Sequence, residues 1–272
     1  DLTIEKLSKA IKSIKPWVKF GISPFGVWRN IADDERGSLT SAGNTNYDHL
    51  YADVIKWMEN GWLDYLLPQL YWHIGHPAAN FETLSNWWKQ HTYDRALYVG
   101  HSVYKCDPAS SILEWRQCHQ LPDQVRLTRK IPEIKGSAFY SAKHFYRDII
   151  GFQDTLETKL YAYPALVPEM PWIDNQPPKT PRKVKKGWGK VLKWKPDKTE
   201  NELDKSVRYI IYKNRVGEVF DPNDTKFISS MTKETKLNLT KRSNEVEYEF
   251  RVSALDRLNN ESQISDPVII KL

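Results

Sequence analysis

The feature that most constrains this chain is a single change of hydrophobic period. Up to about Tyr163, short β-rich runs alternate with segments of helical spacing; from Pro177 onward, apolar residues recur at every second position. Strands interleaved with helices pair in parallel through crossovers, whereas short period-two strands separated by polar turns make an antiparallel sandwich. A chain of 272 residues therefore reads as two domains, α/β followed by all-β. Between the two patterns, Pro164 to Pro178 holds five prolines and no clear period. The domains are placed at 1–175 and 176–272. Ala165, Leu166, Val167 and Trp172 are apolar enough to dock this linker on the first domain.

In the first domain, Trp17–Ile22, Leu63–Trp72, Ala96–Val103 and Gly136–Tyr140 read as strands. Asp1–Lys15 reads as an amphipathic helix, so the chain is expected to begin inside a folded element. Tyr47, Leu50, Tyr51, Val54, Ile55 and Met58 share one helical face. Asn80 can cap a helix carrying Leu84, Trp87 and Trp88, and Pro122 suits a first helical position. Four βα units are compatible with an open parallel sheet or with half of a closed barrel, which takes about 250 residues. In the second domain, Val191–Trp194, Tyr209–Tyr212, Phe227–Ile228, Leu237–Leu239, Tyr248–Leu255 and Val268–Leu272 are short strands.

Composition excludes several classes. Charged residues are 27% and hydrophobic residues 40%, which is globular composition, and no apolar run approaches the roughly 20 residues of a transmembrane segment. Cys106 and Cys118 are too few for a disulfide scaffold and fit no zinc spacing; they pair once or stay as partly buried thiols. The net charge of +6 is lodged in the second domain, where Lys179 to Lys198 sets nine Lys or Arg against Asp197 alone. The stretch lacks a nucleic-acid motif, so a solvated strand face or attraction to an anionic surface is the reading, and no nucleic-acid partner is expected. No phosphate-cradling glycine loop, dinucleotide fingerprint or metal-ligand spacing is present, and no cofactor is expected.

Gly21-Ile22-Ser23-Pro24-Phe25-Gly26-Val27-Trp28-Arg29-Asn30 resembles the glycosyl hydrolase-like 10 family. Tyr51-Ala52-Asp53, Gly61-Trp62-Leu63-Asp64-Tyr65, Pro68-Gln69-Leu70-Tyr71-Trp72 and Gly136-Ser137-Ala138-Phe139-Tyr140-Ser141 continue the resemblance in order, to about residue 172. The resemblance implies the C-terminal half of a (β/α)8 TIM barrel, with the family's N-terminal half, including its acidic strand end, having no counterpart here. A half-barrel has exposed parallel edges, so a partner is expected: the missing N-terminal half, or a second copy of the chain. Residues 176–272 resemble a fibronectin type III domain, with Pro178 and Pro181 at its start, Trp194 in the core, Tyr248 as tyrosine corner and Asn260-Glu261-Ser262 as the following turn.

In a barrel, sites lie at the C-terminal ends of the strands. Those ends offer Ser23, Trp28, Arg29 and Asn30; then Gln69, Tyr71, Trp72 and His73; then His101, Tyr104 and Lys105; then Tyr140 and Ser141. Substrate-binding residues are expected among Ser23, Trp28, Arg29, Asn30, Gln69, Tyr71, Trp72, His101, Tyr104 and Tyr140. Aromatic rings stack on sugar faces, while Arg and Asn donate to hydroxyls. Glycoside cleavage takes two carboxyl groups. Asp64, Asp94 and Glu133 precede strands and belong at the opposite end, Asp53 is helical, and Asp33, Asp34, Glu35 and Asp107 are loop acids. No catalytic residue is assigned. The expectation is a part of an extracytoplasmic glycoside hydrolase that holds a polysaccharide or peptidoglycan-type glycan, its acids lying in the missing half. A non-catalytic carbohydrate-binding protein and an adhesion protein are the alternatives.

Overall fold

In the computed structural model, which describes residues 1–147, 150–240 and 246–272, the chain divides into Asp1–Ala162 and Tyr163–Leu272. The first unit runs α1 (Leu2–Ile14), β1 (Gly21–Ile22), α2 (Asn46–Leu50), α3 (Val54–Glu59), β2 (Tyr65–Leu66), α4 (Phe81–Trp88), β3 (Ala96–Ser102), α5 (Gln120–Arg129) and β4 (Ile134–Tyr140). Its strands form one parallel sheet in the order β1-β2-β3-β4. Leu63, Leu66, Leu97 and Val99 from the strand runs meet Val54, Met58, Phe81, Leu84 and Trp88 from the helices in one core. The Trp88 indole donates to the Gly26 carbonyl at 2.8 Å, so this fully buried core ring is also hydrogen-bonded.

The sequence overstates the first two strands. Of Trp17–Ile22 only Gly21 and Ile22 pair as strand, because side chains take over the preceding backbone. Lys12 Nζ donates to the carbonyls of Pro16 and Val18, and the Phe20 amide donates to Asp64 at 2.7 Å. Beyond β2, single bridges at Phe25–Gln69 and Gln69–Gly100 prolong the pairing toward the strand ends. Asp64 also receives Lys12 Nζ at 2.6 Å and lies just before β2, opposite the strand ends.

The expected helical face from Tyr47 to Met58 is broken. Tyr51 adopts φ 53°, closing α2, and Asp53 restarts the chain as the N-cap of α3 by accepting from the Lys56 amide. Tyr47, Leu50 and Tyr51 are consequently exposed, and only Val54, Ile55 and Met58 join the core. Asn80 caps α4, accepting from the Glu82 amide at 3.1 Å. Pro122 stands third in α5, not first; the opening turn needs no donor there. Cys106 and Cys118 are both free. Cys106 is buried, which pushes its thiol up to about 12, and Cys118 is exposed, not partly buried.

The second unit carries β5 (Arg182–Lys186), β6 (Val191–Lys195), β7 (Arg208–Arg215), β8 (Ile228–Thr232), β9 (Lys236–Asn238), β10 (Glu247–Leu255) and β11 (Val268–Lys271). They make two antiparallel sheets, β11-β10-β7-β8 and β5-β6-β9. Leu192 and Trp194 from one face Tyr209, Ile211, Phe250 and Val252 from the other. β5 carries a single inward apolar residue, Val184, too weak a period-two signal to read as a strand. Phe227 sits in a 3-10 turn before β8. Leu166 packs with Ile210, Tyr212 and Phe227, so this part of the proline-rich segment docks within the second unit, not on the first domain as expected. Tyr248 is buried with Lys213 Nζ 3.8 Å above its ring. The upstream backbone with which a tyrosine corner would bond, residues 241–245, lies outside the described residues.

Candidate functional site

Parallel strands send their following loops to one end of the sheet, and the expected site residues separate there into two groups. One group is consumed by the protein itself. Trp28 is buried, stacks on Trp87, and donates from its indole to Asp53 at 3.3 Å. Arg29 grips Asp48 through Nε at 3.1 Å and Nη2 at 2.7 Å, and Asp34 through Nη1 at 2.9 Å. These bonds, led by the one to Asp48, raise the guanidinium pKa, while Arg36 and Arg29 hold Asp34 below the ordinary carboxylate range. The Asn30 amide oxygen accepts from Thr40 Oγ1 and the Ala42 amide, and its nitrogen donates to Asp33 and the Ala42 carbonyl. Arg29 and Asn30 therefore organise the long loop after β1, and the acidic triplet gives Asp33 and Asp34 to the same task.

His101 belongs to this group as well. It is fully buried between the rings of Phe81 and Phe139, and bonds Gln124 Oε1 at 2.8 Å and Ser137 Oγ at 3.0 Å. Burial lowers its pKa to about 4, so it is a neutral core imidazole. Gln124 in turn donates to the Trp72 carbonyl at 3.0 Å, tying α5 to the end of the β2 run.

The other group meets at the strand ends. Tyr71 lies parallel to Tyr140 at 6.2 Å, and Tyr104 stands edge-on to both, at 6.0 and 6.1 Å. Three elements each contribute one ring: the β2 run, the turn after β3, and the last residue of β4. Tyr140 is 60% exposed and Tyr104 41%, so a broad aromatic surface faces solvent. Partial burial, and then the neighbouring hydroxyls, raise the Tyr71 and Tyr104 pKa values. Lys105 Nζ donates to the Tyr71 carbonyl at 2.6 Å, and burial lowers its pKa. Ser141 Oγ and His144 Nδ1 bond at 3.2 Å beside Tyr104.

A separate cavity of ≈ 280 Å³ is walled by Phe25, Trp72, His76 and Asn44, with Ser41 and Ala42 also lining it. Gly26 permits this wall: a Cβ there would lie 2.6 Å from the Gln69 carbonyl and from the Trp72 ring. Gln69 Nε2 donates to the carbonyl of exposed Ser23 at 3.0 Å, holding the β1 and β2 ends together. His76 accepts the Ala79 amide at Nδ1, and burial followed by His73 lowers its pKa, so it presents a neutral Nε2–H. His73 Nδ1 bonds the Ile74 carbonyl at 2.9 Å, while its Nε2 lies 4.0 Å from Glu114.

Phe25, His76, Glu114 and His144 escaped the sequence reading. Phe25 lies inside the motif already singled out, and Glu114 shares the loop after β3 with Asp107; their position at strand ends was the available signal. Asp107 accepts from the Ala109 amide at 2.7 Å and shapes its own turn. Among the described residues, no group of three or more His, Cys, Asp or Glu is arranged to hold a metal ion, and no helix is long and apolar enough to cross a membrane.

An α/β unit with aromatic rings gathered at its strand ends defines the class, and comparison supplies the family. Residues 2–116 match the family described as Glycosyl hydrolase-like 10. Glycosyl hydrolase YngK of Bacillus subtilis (strain 168) is 38% identical over 275 residues, covering 96% of this chain and 52% of that protein. Glycosyl hydrolase DigH of Escherichia coli (strain K12) is 42% identical over 144 residues, covering 50% of this chain and 32% of that protein. This chain belongs to the glycosyl hydrolase-like 10 family, and it spans about half the length of the first of these relatives. Titin domains A168–A170 overlap 35% of this chain and 32% of that one, at 22% identity and a TM-score of 0.28, too low to bear on the fold.

Proposed function

We propose that this chain is the sugar-holding part of an extracytoplasmic glycoside hydrolase acting on a cell-wall or other polysaccharide, peptidoglycan-type glycan included. In this reading the four parallel strands are the C-terminal half of a (β/α)8 barrel, completed by an N-terminal half or a second copy, and the second unit is a fibronectin type III domain. The observation that carries it is the convergence of Tyr71, Tyr104 and Tyr140 from three elements onto one partly exposed surface; the cavity walled by Trp72 is a second concave site in the same unit. The apolar faces of sugar rings stack on such rings, and Asn44 and the His76 Nε2–H supply polar contacts at the cavity wall.

Cleavage needs a carboxylic acid to protonate the departing oxygen and a second carboxylate, about 5 Å away for retention or wider for inversion. Of the loop acids, Asp33, Asp34 and Asp107 are engaged in bonds within their own loops and Glu35 stands exposed, while Asp48 of α2 is held by Arg29. Glu114 faces His73, its Oε2 4.0 Å from the imidazole Nε2. The acid and its partner are therefore assigned to the remainder of the protein, and this chain supplies neighbouring subsites.

Hydrolysis of peptidoglycan-type and neutral glycans by the full-length protein and by this chain tests the reading. Turnover by the full-length protein alone is the expected result; equal turnover by this chain overturns the assignment of the acids. The same engaged acids favour a second reading, a non-catalytic carbohydrate-binding or adhesion protein. Glycan binding without product from the full-length protein selects it.

A further inference from the structure

The second unit has a charged face that the glycan reading leaves unused. β6 alternates Leu192 and Trp194 inward with Lys193 and Lys195 outward. Lys193 is directly opposite Lys185 on β5 and Lys236 on β9, so three exposed lysines stand abreast across the whole sheet. Directly opposed like charges destabilise a sheet. Lys183 and Lys186 add to the same two-strand hairpin, and among the described residues none of these five lysines has an ion-pair partner. The acids of the adjoining turns do not neutralise the row: Asp197 is taken by Lys179 and Arg182, and Glu234 is a single exposed carboxylate before β9.

At the tip of this hairpin is Trp188, 97% exposed. It sits between Gly187 and Gly189, and the space around Gly189 is open to 4 Å. An indole displayed this way is neither core nor the floor of a binding groove. A sugar-stacking site needs walls and hydrogen-bonding groups around the ring, and the two glycines provide neither. A projecting indole flanked by lysines suits a flat anionic surface with a polar–apolar boundary, where the ring settles between headgroups and the ammonium groups meet phosphates.

We propose that the β5–β6 hairpin docks the protein on an anionic phospholipid bilayer, Trp188 entering the interfacial layer and Lys185, Lys193 and Lys236, with Lys183, pairing with lipid phosphates. Lys190, which donates to the Lys271 carbonyl, braces the hairpin against β11. The surface is independent of the strand-end rings, so its failure leaves the glycan reading intact.

Co-sedimentation of the full chain with sucrose-loaded phosphatidylcholine vesicles, with and without roughly one-third phosphatidylglycerol, tests the proposal. Binding is expected only to the anionic vesicles, and to vanish in about 0.5 M salt. Trp188→Ala should weaken it about tenfold. Replacing Lys185, Lys193 and Lys236 together by Ser should weaken it on the order of a hundredfold, about fivefold per lysine. Lys6→Ser with Lys9→Ser, on α1, should leave it unchanged. All these side chains are exposed, and an unaltered thermal midpoint confirms that each variant folds. Absence of binding to anionic vesicles overturns the proposal, as does equal binding by the Trp188 variant. A preference for a soluble polyanion that survives Trp188→Ala assigns the lysine face to a charged polymer and also overturns it.

Discussion

The first unit and the β5-β6-β9 sheet of the second spend their polar side chains in opposite ways. In Asp1–Ala162 the paired strands β1 and β2 are two residues long, and loops carry the rest of the sheet end; their Arg, Asn and Asp groups bond one another to hold those loops. In Tyr163–Leu272 the strands carry the structure: the β7–β10 side ties Asn214, Glu249 and Arg251 into one network, while the β5-β6-β9 sheet turns its lysines outward. A parallel α/β unit collects function at one end, where loops must be braced before a ligand can be held. A two-sheet unit can offer only faces and hairpin tips. Charge that looks functional in the first unit is thus often structural, whereas the row of Lys185, Lys193 and Lys236, which looks merely solvated, is exposed and has no ion pair among the described residues.

Substitutions can break this contrast. The largest effect is expected from Trp88→Ala, which empties a fully buried site and removes the bond to Gly26; about 3–5 kcal/mol of stability should be lost, read as reduced amide protection in β3. Acid comes next. The neutral form of His101 is favoured in the fold, its pKa standing at about 4 against 6.5, so the unfolded chain binds more protons between those values. Stability should be intact above about pH 6.5 and decline by about 3 kcal/mol as pH falls to 4. Denaturant midpoints across that window should show the slope, and His101→Phe should remove this contribution at the cost of stranding Gln124 and Ser137.

Arg29→Ala should cost about 2 kcal/mol, because Asp48 and Asp34 lose a charged donor together. Urea unfolding measures it, and a shift of a few tenths would mean that the loop after β1 is held by other contacts. Tyr140→Ala sharpens the contrast from the other side. Its exposed ring should contribute under about 0.5 kcal/mol to stability, while oligosaccharide affinity falls about tenfold by calorimetry. Unchanged affinity would separate the tyrosine surface from glycan binding.

The alternation of strands and helices, the switch to period two, the α4 cap at Asn80 and the span of β3 were legible in the residues alone, because each rests on local spacing. β3 is the clearest case: it is buried on both faces of the sheet, so nearly every one of its residues is buried. The family resemblance was legible too, because it rests on ordered short motifs. Which strand-end residues face a cleft was not. Trp28, Arg29, Asn30 and His101 share their residue types with binding groups, and only the positions of Asp53, Asp48, Thr40 and Gln124, distant in sequence, turn them inward. The meeting of Tyr71, Tyr104 and Tyr140 and the row of Lys185, Lys193 and Lys236 were equally invisible. Periodicity sets the face a side chain takes within its own element; register between elements decides which faces meet, and that comes from packing across the whole chain.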